Sequence, residues 1–404
     1  MSNPPPPPPP RDAFALLMCH PSNTKKKLQS SFPDPKTPTE DTLKVEAVNE
    51  DVPHAKKPKT LTVEVAKEVE KEVMDEKIAL LVKKGLEFKP KSAAFWKDGE
   101  SIPFVFLARA FDLASQNSSR IVIIDILCNV FRTVIATTPS DLVSFIYLSV
   151  GKIYPPYDGI ELGIGDTTII KSLSEAYGKS VVEVRKELKT VGDLGLVAKA
   201  SRSSQSTVSK PAPLTVAKVL DAFRTLAKFS GQLSQERKNK CVKALLVAAS
   251  DCEPQYIIRI LQSKMRIGFS EQTVLAALGQ AVAYSESPLA PPIEEAVKII
   301  NHVYSVHPNY DSIVSALLTD GVLKLPDTCP FVLGVPISPM LAKPTKGVSE
   351  ILKQFQNRDL TCEYKYDGER AQIHYFGDGS VQIFSRNSVR NTEKFPDVIQ
   401  SVQR

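Results

Sequence analysis

Residues 361–370 read TCEYKYDGER, and this decapeptide decides how the carboxyl-terminal part of the chain is expected to fold. Its first residues alternate, so that in a β-strand Glu363, Lys365 and Asp367 would share one face. Gly368 follows directly, and a glycine there allows a tight turn and a close approach of the backbone to a ligand. The sequence therefore predicts a strand over 362–367, with a lysine at its centre and a turn at its end.

The segments on either side of the decapeptide predict the beginning of an α+β domain over residues 330–404. Before it, the lead-in segment 331–342 (FVLGVPISPMLA) is irregular, and a short helix is expected at 349–355. After it, the run 371–376 ends at Gly-Asp-Gly, a favourable hairpin turn, and the run 381–386 returns as a second strand. We expect most of the sheet of such a domain to be missing from these 404 residues.

Lys365 has the neighbours that a nucleophilic lysine needs. The pKa of a free lysine is about 10.4, and burial or a nearby cation must lower it before the amine can attack. Glu363 can accept a hydrogen bond from the amino group of a base, and Arg370 and Arg386 can bind ribose or phosphate. The pattern indicates an amine directed at the α-phosphate of a nucleotide. The alternative is a hairpin with exposed charges, because a bare Lys-x-Asp-Gly occurs by chance in roughly one chain in ten of this length.

The long segment before residue 330 is expected to be helical. In 216–227 and 274–282, apolar residues recur at i, i+3, i+4 and i+7, which is typical of one buried helix face. Segments 121–134 and 142–150 are more apolar and are expected to be central helices. Alternating strand patterns are nearly absent here. The prediction is an all-α domain over residues 65–325, a size within the usual range for domains.

Residues 1–64 differ in composition and are expected to be a disordered tail. The proline run 4–10 favours an extended polyproline II conformation, and few large apolar residues follow it. The lysine clusters at 25–27 and 56–59 are candidates for a nuclear localisation signal. The alternative is a solvated tail whose charges are simply clustered.

Composition excludes several classes of protein. A formal net charge of +6 is mildly basic, which fits a protein that binds a polyanion without requiring one. No apolar run is long enough to span a bilayer, and the amino terminus lacks the apolar core of a secretory signal. The six cysteines and five histidines lack the spacing of metal ligands. We therefore predict no protein-held metal site, no membrane segment and six reduced thiols in an intracellular protein.

Several motifs together resemble the eukaryotic ATP-dependent DNA ligases. The decapeptide is similar to the nucleotidyl-transferase motif of that family, and Ser385-Arg386-Asn387 to the motif that follows it. The helical region is similar to the family's DNA-binding domain, and the resemblance covers residues 80–404, with features of the replicative, plant-like form. The motifs that carry it upstream are Glu161-Leu-Gly-Ile-Gly165, Gly192-Asp-Leu-Gly-Leu-Val-Ala198, Lys264-Met-Arg-Ile-Gly268 and Pro339-Met-Leu-Ala342.

The resemblance implies a fold class and a reaction. The expected fold is an all-α DNA-binding domain followed by the amino-terminal fragment of an α+β adenylation domain, with the disordered tail in front. The implied reaction uses ATP and Mg²⁺, adenylylates Lys365, passes AMP to the 5′-phosphate of a nick and joins the 3′-hydroxyl. The implied nucleotide contacts are Glu363 on the adenine amino group, Arg370 and Arg386 on sugar or phosphate, and Asp367 and Gly368 in the turn.

The resemblance also implies DNA contacts in the helical domain. Lys264 and Arg266 lie just before Gly268, where a helix is expected to begin and to offer backbone N–H groups to a phosphate. Gly165 precedes another helix, with Asp166 or Thr167 expected as its cap. Arg132, between apolar residues, is expected to reach DNA or to cap a neighbouring helix. From the spacing alone, the alternative is that these segments are ordinary connections between helices whose basic residues are solvated and do not bind DNA.

One position departs from the family's pattern: Ser263 stands where the family often has glycine. The family's OB-fold domain and its later active-site motifs are expected to be absent. We therefore expect a nuclear monomer that binds nicked duplex DNA but is too short to ligate. Additional organelle targeting is an open possibility for other isoforms, and a replication clamp or another partner is a candidate for the tail. The alternatives are a non-catalytic DNA-binding scaffold, for which Lys365→Ala has no effect, and an RNA-directed nucleotidyl transferase, which prefers RNA nicks or GTP.

Overall fold

The computed structural model describes residues 59–203, 212–286, 290–340, 342, 344–356 and 358–404, with side chains from residue 68 onward. These residues belong to one compact unit that runs from Lys59 to Arg404. Several predicted features lie outside the described residues: the proline run 4–10, the lysine clusters at 25–27 and 56–59 apart from Lys59, and Leu341 of the lead-in segment 331–342. Helix α1 begins at Lys59, so the last six residues assigned to a disordered tail are helical instead.

The first part of the described chain is helical, as predicted from its periodicity. Its helices are α1 (Lys59–Ala79), α2 (Phe104–Ser115), α3 (Arg120–Thr137), α4 (Leu142–Ser149), α5 (Asp166–Tyr177), α6 (Val181–Val191), α7 (Leu194–Ser203), α8 (Val216–Ala227), α9 (Ser234–Ala248), α10 (Glu253–Leu261), α11 (Glu271–Ser285), α12 (Ile293–Val306), α13 (Tyr310–Asp320) and α14 (Leu325–Thr328). Short 3₁₀ turns connect several of them, at Leu80–Val82, Pro90–Ala93, Pro139–Asp141, Pro156–Asp158 and Val322–Lys324.

Helix α3 lies at the centre of this domain because it is apolar on nearly every side. It packs against α2 and α11, and α11 packs in turn against α12. Helix α4, also predicted as central, buries most of its side chains against α8 and α13. The apolar residues of these helices belong to one continuous core that extends to α14. None of the described helices is both long and apolar enough to cross a bilayer.

Local sequence signals define several helix ends. Ser180 accepts a hydrogen bond from the Glu183 amide, and the Glu183 carboxylate accepts one from the Ser180 amide, which is a capping box at the start of α6. At α8 and α13 the cap is a single hydrogen bond: the side-chain oxygens of Thr215 and Asn309 accept from the amides of Lys218 and Ser312. The helix predicted over 216–227 matches α8, the one of these three helices for which a range was predicted.

The carboxyl-terminal part contains α15 (Val348–Gln354), β1 (Ala371–Tyr375), β2 (Val381–Ser385), a 3₁₀ turn (Thr392–Lys394) and α16 (Pro396–Val402). The strands form an antiparallel hairpin whose register pairs Ala371 with Ser385 and Tyr375 with Val381. The hairpin and the short helix at 349–355 confirm the predictions. Within the described residues this hairpin is the whole sheet.

The predicted strand over 362–367 is wrong. Residues 361–370 have no regular secondary structure apart from a bend at Gly368, and no described strand pairs with them. Alternation predicts which face a side chain would take, but a strand also needs a neighbour to complete its backbone hydrogen bonds. The predicted common face of Glu363, Lys365 and Asp367 is therefore not formed as part of a sheet.

Candidate nucleic-acid interface and the lysine motif

The loop between α10 and α11 is held in an unusual backbone conformation. Ser263 and Arg266 both have positive φ angles, of 54° and 49°, and Gly268 has 77°. Left-handed backbone is costly for residues other than glycine, so contacts elsewhere must hold this loop in place. Lys264 is exposed on the loop, and α11 begins three residues after Gly268, as predicted.

A buried carboxylate and two arginines fix this loop. Asp193 Oδ2 accepts from Arg259 Nη2 at 3.0 Å and from Arg266 Nη1 at 3.3 Å. Arg259 Nη1 also donates to the Met265 carbonyl at 3.4 Å, and Arg266 Nη1 to the Gly192 carbonyl at 3.1 Å. Burial would raise the pKa of Asp193, but the Arg259 guanidinium and the amides of α7 hold that pKa below its usual value. Asp193 therefore stays ionised and fixes Arg266 at the surface.

The amino termini of α3 and α11 open into the same cavity, which has a volume of about 660 Å³. Arg120 is the first residue of α3 and is exposed at this cavity, which Arg266 also lines. Neither helix has a side-chain cap, so the first N–H groups of both helices are available to a ligand. Ser149 also lines the cavity, and its buried Oγ has no hydrogen-bond partner among the described residues.

A second cavity, of about 490 Å³, adjoins the first, and Ser263 lines both. Its walls include Lys152, Gly163 and the beginning of α5. Gly165 is the residue that precedes α5, so the predicted cap at Asp166 or Thr167 is wrong. Asp166 is already helical, and its carboxylate accepts from Gln262 Nε2 at 2.8 Å. The α5 amino terminus is therefore joined to the loop between α10 and α11.

One acidic side chain lies where the two cavities meet, and its charge is neutralised inside the protein. Glu271 Oε1 accepts from Lys152 Nζ at 2.6 Å, from the Tyr304 hydroxyl at 2.6 Å and from the Tyr310 hydroxyl at 2.7 Å. Burial would raise the pKa of Glu271, but Lys152 and the two hydroxyls lower it overall. The carboxylate therefore remains ionised and holds Lys152 beside the second cavity.

The structure does not support a DNA contact for Arg132. Its side chain is buried, 7% exposed, and its guanidinium donates to the carbonyls of Gly85 and Phe88. The guanidinium also lies over the Phe88 and Tyr284 rings, with its Cζ 5.4 Å and 4.6 Å from the ring centroids. The alternative prediction, that Arg132 caps a neighbouring helix, was closer to the observed contacts, because its guanidinium donates to backbone carbonyls. These belong to the loop after the Leu80–Val82 turn, however, and not to a helix end.

Arg120 and Lys152 were missed from the sequence. Arg120 follows Ser118-Ser119 at the start of an apolar helix, and a basic residue in the first turn could have suggested a site for an anion. Lys152 has no comparable local signal, because its partner Glu271 lies 119 residues further along the chain.

The lysine motif is exposed throughout. Every residue from Thr361 to Arg370 is exposed, and no described residue forms a hydrogen bond or ion pair with the side chains of Glu363, Lys365 or Arg370. Arg386 is exposed in the turn after β2. The side chains have the chemistry to bind a nucleotide, but they do not converge on a cradle that would enclose ATP. Among the described residues, no group of three or more His, Cys, Asp or Glu side chains could hold a metal ion.

Comparisons with known proteins match both parts of the chain. Residues 103–279 match the family described as "DNA ligase N terminus", and residues 339–404 match "ATP dependent DNA ligase domain". The first match contains the proposed interface residues, and the second contains Lys365.

Several similar proteins are named DNA ligase 1, and three of them show the extent of the match. The chain is 58% identical to the Arabidopsis thaliana protein over 333 residues, which are 81% of the chain and 42% of that protein. Identity to the Dictyostelium discoideum protein is 41% over 342 residues, covering 79% of the chain and 28% of the relative. Identity to the Schizosaccharomyces pombe protein is 41% over 307 residues, covering 74% of the chain and 40% of the relative. The chain thus spans less than half the length of each of these relatives.

Proposed function

Because the chain belongs to the ATP-dependent DNA ligase family, we propose that its helical domain binds nicked duplex DNA and that Lys365 is the residue that accepts AMP from ATP. The proposal assigns DNA binding to the surface around the two adjoining cavities. Arg120, Arg266 and Gly268 line the first cavity and Lys152 lines the second. Lys264 and Gly165 complete the set, because each lies next in the chain to residues that line a cavity.

The observation that carries the DNA-binding proposal is the meeting of two uncapped helix amino termini with basic side chains around one cavity. Helix amino termini attract anions, because their free N–H groups and the helix dipole both favour negative charge. Arg120 and Arg266 add full positive charges at the same cavity. The buried Ser149 Oγ supplies a further polar atom without a partner. A DNA phosphate provides the oxygen acceptors that such a group of donors needs.

Binding of this kind reads the sugar–phosphate backbone and not the base sequence. A ligase must seal nicks in any sequence, and backbone contacts carry affinity without sequence readout. Gly165 and Gly268 suit this role, since a residue without a side chain lets a phosphate approach the backbone. We propose that one DNA strand passes from the first cavity to the second by way of Ser263, the residue that lines both.

For Lys365 we propose the nucleophilic role that the family motif implies. The unprotonated Nζ would form a P–N bond to the α-phosphorus of ATP, and pyrophosphate would leave. Mg²⁺ would arrive with the ATP phosphates. The roles proposed for Glu363 and Arg370 require them to approach a nucleotide together, whereas both are exposed and neither side chain forms a hydrogen bond or ion pair with a described residue. The lysine motif must therefore rearrange or gain further partners before it can enclose ATP.

The biological setting is proposed on the same basis. Sealing of nicks during replication and repair would place the protein in the nucleus, with duplex DNA as its substrate. A replication clamp or another protein is the candidate partner of the amino-terminal tail. We propose that the protein acts as a monomer.

The direct test is fluorescence anisotropy of a labelled nicked duplex titrated with the 404-residue protein at several salt concentrations. We expect Lys264→Ala to weaken binding about three- to ten-fold at 50 mM salt, and the logarithmic salt dependence to become shallower by about one unit. Lys97→Ala is the matched control, because Lys97 is exposed near the carboxyl end of α3. At a rise of about 1.5 Å per residue, the carboxyl end of α3 lies about 26 Å from Arg120 at its amino end. Equal affinity of both variants and the wild type would refute the assigned surface.

A non-catalytic DNA-binding scaffold remains the second candidate, and the exposure of the lysine motif favours it. Lys365 has no described partner that would position its amine or displace its proton. Labelled ATP with magnesium separates the two functions, because a ligase transfers AMP covalently to Lys365 and a scaffold does not.

A further inference from the structure

Lys238 is a buried lysine without a carboxylate partner among the described residues. It lies in α9 and is only 6% exposed. Its Nζ donates to the Leu162 carbonyl at 2.8 Å and to the Gly163 carbonyl at 3.0 Å. Two carboxylates on or beside α9 are paired with other lysines, Glu236 with Lys240 and Glu175 with Lys243, and no described carboxylate forms an ion pair with Lys238.

A buried ammonium without a negative partner is costly, and packing alone does not require one. Two of its three N–H donors are used by carbonyls, whose dipoles compensate only part of the lost hydration. A neutral side chain of similar volume would fill the same space at lower cost. The position of Lys238 suggests where its charge acts, because both carbonyls belong to the loop 161–165 that forms one wall of the second cavity.

The loop that Lys238 holds leads directly into α5. Gly163 has a φ of 54°, and a Cβ added there would lie 2.9 Å from Lys238 Nζ. Gly165 then precedes the first turn of α5, whose side-chain cap is absent. The ammonium therefore lies against the inner side of the loop, and the outer side lines the cavity that we assign to DNA.

From this arrangement we propose that Lys238 is a positioning residue for DNA binding. Its two hydrogen bonds fix the loop 161–165 so that the N–H groups at the start of α5 point toward a backbone phosphate. Its positive charge, held beneath the loop, is compensated when that phosphate binds. Lys238 does not itself touch DNA. The inference rests on the proposed function, since it assigns one phosphate of the bound duplex to the α5 amino terminus.

The test compares Lys238→Met, Lys238→Arg and wild type by anisotropy with the nicked duplex, with Lys264→Ala as the reference for the proposed function. We expect Lys238→Met to raise the Kd about five- to ten-fold at 50 mM salt and to make the salt dependence shallower by up to about one unit. Lys238→Arg keeps the charge and the donors, and should restore the Kd to within about two-fold of wild type. A purely structural lysine would change the melting temperature but neither the Kd of the folded protein nor its salt dependence.

A second pair of variants tests the inference if Lys238→Met does not fold. Gly163→Ala leaves the charge in place but pushes Nζ away from the carbonyls, so we expect the Kd to rise about three- to five-fold. Gly178→Ala is its control, because Gly178 also has a positive φ, of 67°, at the other end of α5, and a Cβ there would meet no atom within 4 Å. Equal affinities of the two glycine variants would overturn the inference.

The outcomes also separate the inference from the proposed function. If wild type and Lys264→Ala bind DNA equally or not at all, the assignment of the DNA surface fails and the role of Lys238 fails with it. If Lys264→Ala weakens binding while Lys238→Met and Gly163→Ala bind as wild type does, only the role of Lys238 is overturned.

Discussion

Arg259 Nη2 lies 3.0 Å from Asp193 Oδ2, and both side chains are almost fully buried. This pair joins α10 to the start of α7, where Asp193 Oδ1 also accepts from the Gly195 amide at 2.7 Å. The same carboxylate holds Arg266 on the loop before α11. A single buried ion pair therefore supports both the packing of two helices and the conformation of the proposed DNA-binding loop.

Asp193→Ala should destabilise the helical domain by about 3 kcal/mol or more, because it leaves the Arg259 guanidinium buried without a counter-charge. Urea unfolding followed by circular dichroism measures this free energy. The control is Asp98→Ala, which removes an exposed ion pair with Lys91 and should change the stability by less than about 1 kcal/mol. Similar losses in both variants would contradict the buried-pair interpretation.

Ser263→Gly should stabilise the protein by about 0.5–1 kcal/mol. Ser263 has a φ of 54°, where a side chain is strained and glycine is not. Ser315→Gly, at an exposed position within α13, should instead destabilise by about 0.5 kcal/mol, because glycine is less favourable than serine inside a helix. Thermal unfolding of both variants decides the matter: a loss of stability in Ser263→Gly would be incompatible with backbone strain at that residue.

Arg132→Met should destabilise the protein by about 2–4 kcal/mol, because the buried carbonyls of Gly85 and Phe88 lose their donors. The Kd of the folded variant for nicked DNA should equal that of wild type, since the guanidinium is inside the domain. Arg185→Met, which changes an exposed arginine of α6, is the stability control and should stay within about 0.5 kcal/mol of wild type. A lower DNA affinity of folded Arg132→Met, with a shallower salt dependence, would return Arg132 to the interface.

Glu253 should make the stability depend on pH. Burial raises the pKa of this carboxyl group to about 7, although the Ser250 amide and hydroxyl both donate to it. The folded pKa lies above the unfolded value of about 4.3, so the folded state holds the proton more tightly. Its contribution to stability is complete below pH 4 and is lost as pH rises from about 4.3 to about 7.

Glu253→Gln should remove this dependence, because an amide keeps an acceptor for the Ser250 donors and does not ionise. Relative to wild type, the variant should gain up to about 3 kcal/mol between pH 5 and pH 8. Urea unfolding at both pH values measures the difference. A stability difference between variant and wild type that does not change with pH would show that Glu253 is not the responsible group.

Lys365→Ala should leave the affinity for nicked DNA unchanged, because Lys365 is exposed outside the two cavities assigned to DNA. With α-labelled ATP and magnesium we expect weak covalent labelling that Lys365→Ala removes; the labelling is weak because the exposed nucleotide-binding side chains do not converge. Strong labelling that Lys365→Ala abolishes, followed by sealing of the nick, would show that the chain completes the reaction after all.

Some of these features could be predicted from the sequence, because they depend on neighbours along the chain. The apolar periodicity of 216–227 predicted α8, and the glycine-rich turn at 377–379 predicted the β1–β2 hairpin. The strand at 362–367 could not be predicted correctly from alternation, because a strand exists only when another segment pairs with it. Arg132 illustrates the same limit, since its carbonyl partners lie 44 and 47 residues away.

The sequence by itself determined the all-α domain, the hairpin and the motif around Lys365, since each is written in short-range spacing and residue type. The tertiary structure decided which charges are exposed and which are buried. It placed Arg120, Lys152 and the 263–268 loop around adjoining cavities, buried Lys238 beneath a loop 75 residues earlier in the chain, and left the residues around Lys365 exposed. The physical reason is that hydrogen bonds and desolvation act between residues that are close in space, and local periodicity carries no record of those partners.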